Sequence, residues 1–236
     1  MPQKVKLSVL IFLLTLFSGS ALPREGKQEV VVLHLMPRFQ QERLQLNHYY
    51  QLPSGDSVLI IGLRFYLSHI QLWNDSFTTG TALKTHYLID AANPASQKII
   101  IPLNSGLKFN TIRFVIGIDS ATNYRGASEG ELDPTNGMYW TWQSGYINFK
   151  LDGRSNLSSS RNKEFNWHLG GYRYPFISQQ HCTIAVNATS AVVLRIQLDQ
   201  LVEQLKRQQT PQIMSPGESA VELSKQLPKI ISYVSP

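Results

Sequence analysis

The chain has 236 residues, 42% of them hydrophobic and 16% charged, with a formal net charge of +6 and one cysteine. An apolar share of that size excludes a disordered chain. The lone Cys182 excludes an intrachain disulfide, a CxxC redox pair and any cysteine-based zinc or iron–sulfur framework. The positive charge is dispersed, with Lys206-Arg207 the single adjacent basic pair after residue 21, so neither a basic stripe nor a known module for nucleic acid is present.

Residues 1–21 read as an export signal. Lys4 and Lys6 precede an apolar stretch from Leu7 to Phe17, and Gly19-Ser20-Ala21 supplies the small residues of a cleavage site. The stretch is short for a membrane span and no later run reaches ~18 apolar residues, so no transmembrane anchor is expected after cleavage. No cysteine follows the stretch, which excludes a lipoprotein anchor. The expectation is a periplasmic or secreted protein with a domain over 22–210 and a C-terminal tail over 211–236. Cleavage would remove two lysines and leave 20 basic against 16 acidic side chains, a charge of +4.

From residue 30 onward the sequence reads as strands. VVVLHLM (30–36) is a dense β-branched run. Residues 58–73 alternate, with Leu63, Phe65 and Leu67 on one face and Arg64, Tyr66 and Ser68 on the other. Further strands are expected at 99–103, at 111–118 (Ile112, Phe114, Ile116 and Ile118 on one face) and at 145–151. Another carries Phe165, Trp167 and Leu169 on one side, Asn166 and His168 on the other. From Val192 the period is two, and from Leu198 it becomes helical through Leu201, Val202 and Leu205. Ala220 to Leu227 predicts a short amphipathic helix stopped at Pro228. Many short strands separated by turns predict an all-β antiparallel sandwich, a single domain with short helical C-terminal segments.

The longest stretch without a pattern, 119–137, leads into the most aromatic segment, Met138-Tyr139-Trp140-Thr141-Trp142-Gln143-Ser144-Gly145-Tyr146. Loops above about 12–15 residues in a compact domain are usually functional or disordered. Within it, Gly126-Ala127-Ser128-Glu129-Gly130 matches GxSxG but lacks the strand-to-helix context that a nucleophile elbow requires. Asp119, Glu129, Glu131 and Asp133 offer oxygen donors, yet not at EF-hand spacing, so a solvated polar loop is the expectation over a calcium site. None of the six histidines lies at metal-ligand spacing from another. His168, on the polar face of its strand, is the leading candidate ligand, with His34 of the first strand as a second. Trp140 and Trp142 share a face if extended, as a core patch, a stacking platform or an oxidisable indole pair.

LRFYLSHIQLW (63–73), HYLID (86–90), IRFVIGIDSATN (112–123), LDPTNGMYWTWQSGYINFKLDG (132–153) and EFNWHLGGY (164–172) together resemble the MbnP family, exported partners of methanobactin-associated di-haem peroxidases, related to the CorA and MopE copper proteins. The resemblance covers roughly 30–200. It implies a non-enzymatic, copper-binding protein that is the substrate of a di-haem cytochrome c peroxidase-type (MbnH-like) partner, which converts a tryptophan to kynurenine. Carried across, Trp140 and Trp142 match the paired tryptophans and His168 the histidine before the double glycine. Copper-binding relatives can show Asn-His where this chain has Asn123-Tyr124. Asn123, Tyr124, Met138, Tyr139 and Tyr146 are expected to form a partner or ligand surface. The alternative is a metal-free exported module that recognises a protein or glycan through 119–146.

Overall fold

The computed structural model describes residues 29–235 apart from 105, 143–144, 189 and 207–210. The export signal expected over 1–21 lies outside the described residues. Seventeen strands are described: β1 Val30–Phe39, β2 Glu42–Arg43, β3 Tyr49–Gln51, β4 Ser57–Asn74, β5 Phe77–Thr81, β6 His86–Asp90, β7 Lys98–Pro102, β8 Thr111–Ile116, β9 Tyr139–Trp140, β10 Gly145–Ser155, β11 Glu164–Gly170, β12 Tyr172–Arg173, β13 Phe176–Ile177, β14 Gln180–Ala185, β15 Ala191–Gln197, β16 Gln212–Ile213 and β17 Ile231–Val234. Helices α1 (Ser120–Arg125), α2 (Leu198–Val202) and α3 (Glu218–Ser224) are short.

The smaller sheet has the order β17-β15-β1-β2, with β7 also on β1. The larger runs β14-β8-β4-β10-β11-β16, with β3, β5 and β6 pairing along β4 and β9 on β10. Alternation decides which sides meet. Leu33 and Leu35 from β1 and Phe165, Trp167 and Leu169 from β11 point into one buried cluster, and their polar neighbours face outward. This is the all-β sandwich that the patterning predicts. Most pairings are antiparallel, but β1–β15 and β11–β16 are parallel, made possible because each joins segments distant in sequence.

The helical switch at Leu198 falls where expected, with Leu198, Leu201, Val202 and Leu205 buried. Pro228 does not simply stop a helix. α3 ends at Ser224, and Pro228 opens a separate 3-10 turn over Leu227–Ile230, a position that tolerates its missing N–H. The segment 119–137 is not structureless either. It forms α1 and two 3-10 turns, Gly130–Leu132 and Pro134–Asn136, and lies over the outer face of the larger sheet. There Tyr66, Ile118, Leu132, Met138, Trp140, Tyr146 and Ile147 form a second buried cluster. The outer face of β4 is thus covered locally, which explains why Tyr66 and Ser68, expected on a polar face, are both buried.

Candidate metal centre

The site is built at an irregularity in β4. Its core-facing residues are odd-numbered from Leu63 to Leu67 and even-numbered at Ile70 and Leu72, so the strand slips by one residue between Leu67 and Ile70. The slip is a β-bulge: pairing with β8 shifts register between Ser68 and Gln71, and His69 adopts a positive φ of 52°. A bulge re-aims one side chain away from the regular pleat. His69 is that residue, and its backbone N–H donates to the Thr85 carbonyl at 3.0 Å. The adjacent β6 begins at His86, opposite Ser68. Beyond β8 the chain turns at Gly117 and Ile118 into Asp119, the N-cap of α1.

These three side chains converge. His69 Nε2 lies 3.4 Å and His86 Nε2 3.3 Å from Asp119 Oδ2, with the two imidazole rings 6.0 Å apart at 73°. One ligand atom from each lies within 4.8 Å of the others, and among the described residues this is the group of three or more His, Cys, Asp or Glu side chains so arranged. The set is graded in accessibility: the His86 side chain is 12% exposed and that of His69 48%. It therefore has an anchored side and an open side.

Asp119 is fixed by its capping role. Its Oδ1 accepts from the Thr122 N–H and its Oδ2 from the Thr122 hydroxyl, both at 2.8 Å, and Arg125 in turn donates to that hydroxyl. Partial burial alone would raise the carboxyl. The Thr122 donors, then His86 and His69, outweigh it and hold Asp119 well below the usual carboxylate range. Burial pushes the His86 imidazole below its ordinary value, against the opposing pull of Asp119. An ionised carboxylate beside a neutral imidazole is the protonation state that metal binding needs.

The residues singled out in the sequence fall elsewhere. His168 is buried, with Nε2 2.8 Å from Asp152 Oδ1; its strand face is not the open one expected, because the Asp152 side chain across the β10–β11 pair closes on it. His34 is half-buried on β1 of the smaller sheet, on the face away from Leu33 and Leu35. His34 and His168 thus face outward from opposite layers of the sandwich and do not share a space. Neither belongs to the three-residue group. Of the residues expected to form a partner or ligand surface, Met138, Tyr146 and Asn123 are buried and Tyr139 is half-buried, while Tyr124 is exposed. The reason is the second cluster: Tyr146 donates through its hydroxyl to the Leu132 carbonyl, and Asn123 Oδ1 accepts from the Tyr146 N–H. Trp140 is buried and Trp142 66% exposed, with ring centroids 6.0 Å apart. Ser128 lies exposed between α1 and a 3-10 turn, without an elbow. In the acidic loop Glu131 pairs with Lys84 at 2.6 Å and Asp133 accepts from Thr135, so neither joins Asp119.

Sequence reasoning missed His69 and His86 because they are 17 positions apart with no local spacing. The signal available was the change of apolar parity between Leu67 and Ile70, which marks a bulge at a histidine.

A family model described as MbnP matches residues 28–215. The chain is a member of the MbnP family. Membership makes it a methanobactin-associated accessory protein of an exported, non-enzymatic family. The solved structure of MbnP from Methylosinus trichosporium is similar with a TM-score of 0.55 at 10% identity, covering 75% of this chain and 78% of that one. At that identity the likeness concerns the fold. No match was found among the curated proteins. The MbnP model spans nearly all of both sheets and ends at β16, before α3 and β17.

Proposed function

We propose that this MbnP-family protein handles copper in the exported compartment, holding one ion between His69, His86 and Asp119. The observation that carries the reading is the convergence of two imidazole nitrogens and a carboxylate oxygen from three separate elements. Imidazole suits copper in either oxidation state. Donors at about 2.0–2.2 Å from a common ion sit roughly 3–4 Å from one another, and the 3.4 Å and 3.3 Å separations of His69 and His86 from Asp119 fall in that range. The open side next to His69 leaves room for a further donor or for transfer of the ion.

The second part of the proposal concerns a di-haem cytochrome c peroxidase-type partner, for which this protein is the substrate, with Trp140 or Trp142 oxidised to kynurenine. Support comes from the tryptophan pair: Trp142 lies at the surface where a docked protein would meet it, and Trp140 is packed directly behind.

Competition of Cu(I) and Cu(II) binding against chelators tests the first part. H69A and H86A are each expected to weaken copper at least about tenfold, the scale of a lost ligand or its close support, while H168A and H34A bind as the wild type does. Equal binding in H86A and wild type would sink the assignment. For the second part, peptide mass mapping of residues 126–150 from native-host protein is expected to show a ring-opened tryptophan; two intact tryptophans at full occupancy would remove it.

A further inference from the structure

Outside the metal centre, the molecule carries a second built feature at the β12–β13 hairpin. A cavity of about 230 Å³ opens there, walled by Trp140, Tyr172, Tyr174, Pro175, Phe176 and Pro216. Gly145 also lines it, and a Cβ there would press to 3.2 Å from the Tyr172 ring. Of the large apolar side chains exposed among the described residues, Tyr124, Trp142, Tyr174 (91% exposed) and Phe176 gather in this one region of the surface, while others such as Leu83 and Phe77 stand apart. Concentrated exposure of that kind marks a binding site more often than chance scatter does.

Among the described residues that line it, the cavity has one charged group. Arg173 lines it, with its guanidinium 5.5 Å from the Tyr124 ring centre and 5.1 Å from that of Tyr172. Tyr124 meets Tyr172 edge-on at 5.1 Å and 89°, so the cation rests on a fixed aromatic corner. Among the described residues no carboxylate pairs with Arg173, whereas Arg64 and Arg154 each have one. A stacked guanidinium keeps its in-plane N–H donors free for a planar anion.

We propose that this cavity binds a small aromatic carboxylate, its ring system between Trp140, Phe176 and the prolines and its carboxylate on Arg173. The size fits: an apolar cavity of about 150 Å³ takes up benzene, so this one has room for two fused rings. The wall supplies stacking partners on several sides, and the single unpaired cation decides the sign of the ligand. The site is separate from the copper reading and stands or falls without it.

Isothermal titration of the intact protein with 2-naphthoate, 2-naphthamide and acetate tests the proposal. 2-Naphthoate is expected to bind at one site, at least about tenfold tighter than 2-naphthamide, the scale of one charge-assisted hydrogen bond. Acetate lacks the ring and is expected to show no saturable binding. R173Q, at an exposed position, should bring 2-naphthoate down to the amide's affinity while leaving the amide unchanged. Chemical-shift changes on adding 2-naphthoate should map to 140, 145 and 171–176. Absence of saturable 2-naphthoate binding, equal affinity in R173Q, or shifts mapping elsewhere would overturn the proposal. So would a concentration-dependent dimer that buries Tyr174, since a second copy would then be the occupant.

Discussion

At the scale of single residues, protonation links the metal centre to stability. Metal-free, the folded state holds both Asp119 and His86 below their ordinary values. A group with a depressed folded value contributes stability above its unfolded value and loses it as pH falls. His86 therefore weakens the fold on acidification below about 6.5, and Asp119 below about 4. Urea unfolding of metal-free protein between pH 7 and 3 should show stability falling throughout, and falling less steeply below pH 4 in D119N. Identical slopes would contradict the account of Asp119. Asparagine is a fair replacement because it also serves as an N-cap, so α1 should remain formed. Cys182 is a separate case. Burial pushes its thiol up to about 12, so alkylation at pH 8 should proceed only on unfolding; rapid labelling of the native protein would refute its placement.

At the scale of elements, two strand irregularities have different consequences. The bulge in β4 displaces His69 toward His86. Further back in β4 the extra residue Ile61 shifts its register against β10 between Asp152 and Gly153, and there the strands approach so closely that a Cβ at Gly153 would lie 2.4 Å from the Leu59 carbonyl oxygen and 2.4 Å from the Phe165 ring. G153A is therefore expected to destabilise by about 1–3 kcal/mol, the cost typical of overpacking. A chemical-denaturation midpoint equal to that of the wild type would count against this close approach. Gly117 has a comparable role beside the site. At φ +112° it places the Asn148 side chain where a Cβ would stand, and Asn148 Oδ1 accepts from the Ile118 N–H at 2.9 Å. That contact helps fix the backbone immediately before Asp119.

At the scale of the whole molecule, the segment after residue 210 completes both layers. β16 pairs with β11, β17 with β15, and Ile213, Leu223, Leu227 and Ile230 are buried in the main core. Each such side chain contributes about 1.5–3 kcal/mol when buried, so together they amount to a large part of the about 5–15 kcal/mol by which a domain is stable. Truncation after residue 210 should give a chain that aggregates or loses its cooperative thermal transition; an unshifted transition would show the segment to be dispensable. The segment 119–137 acts in the same integrating sense. Tyr66 from β4, Tyr146 from β10 and Leu132 from the segment share the second cluster, and α1 carries Asp119 at one end and Tyr124, beside the hairpin cavity, near the other.

The sequence by itself determined the layers. Alternation in 63–67 and 165–169 fixed which side chains are inward, because the pleat repeats every two residues as long as the strand stays regular; register shifts put Val58 and Ile60 on the other parity and turn Ile147 into the second cluster, which alternation alone does not show. The shift to helical spacing at Leu198 and the family-bearing aromatic block were legible for the same local reason. What the tertiary structure alone decided is where distant side chains meet. His69, His86 and Asp119 come from three elements with no fixed spacing, and only the pairing of β4 with β6 and β8 brings their donor atoms together. His168 shows the converse: its outward position was readable, but its closure by Asp152 depends on the strand opposite. Likewise the burial of Met138, Tyr146 and Asn123 follows from the 119–137 segment folding back over the sheet. Alternation along one strand encodes a face; it carries no information about what later covers that face.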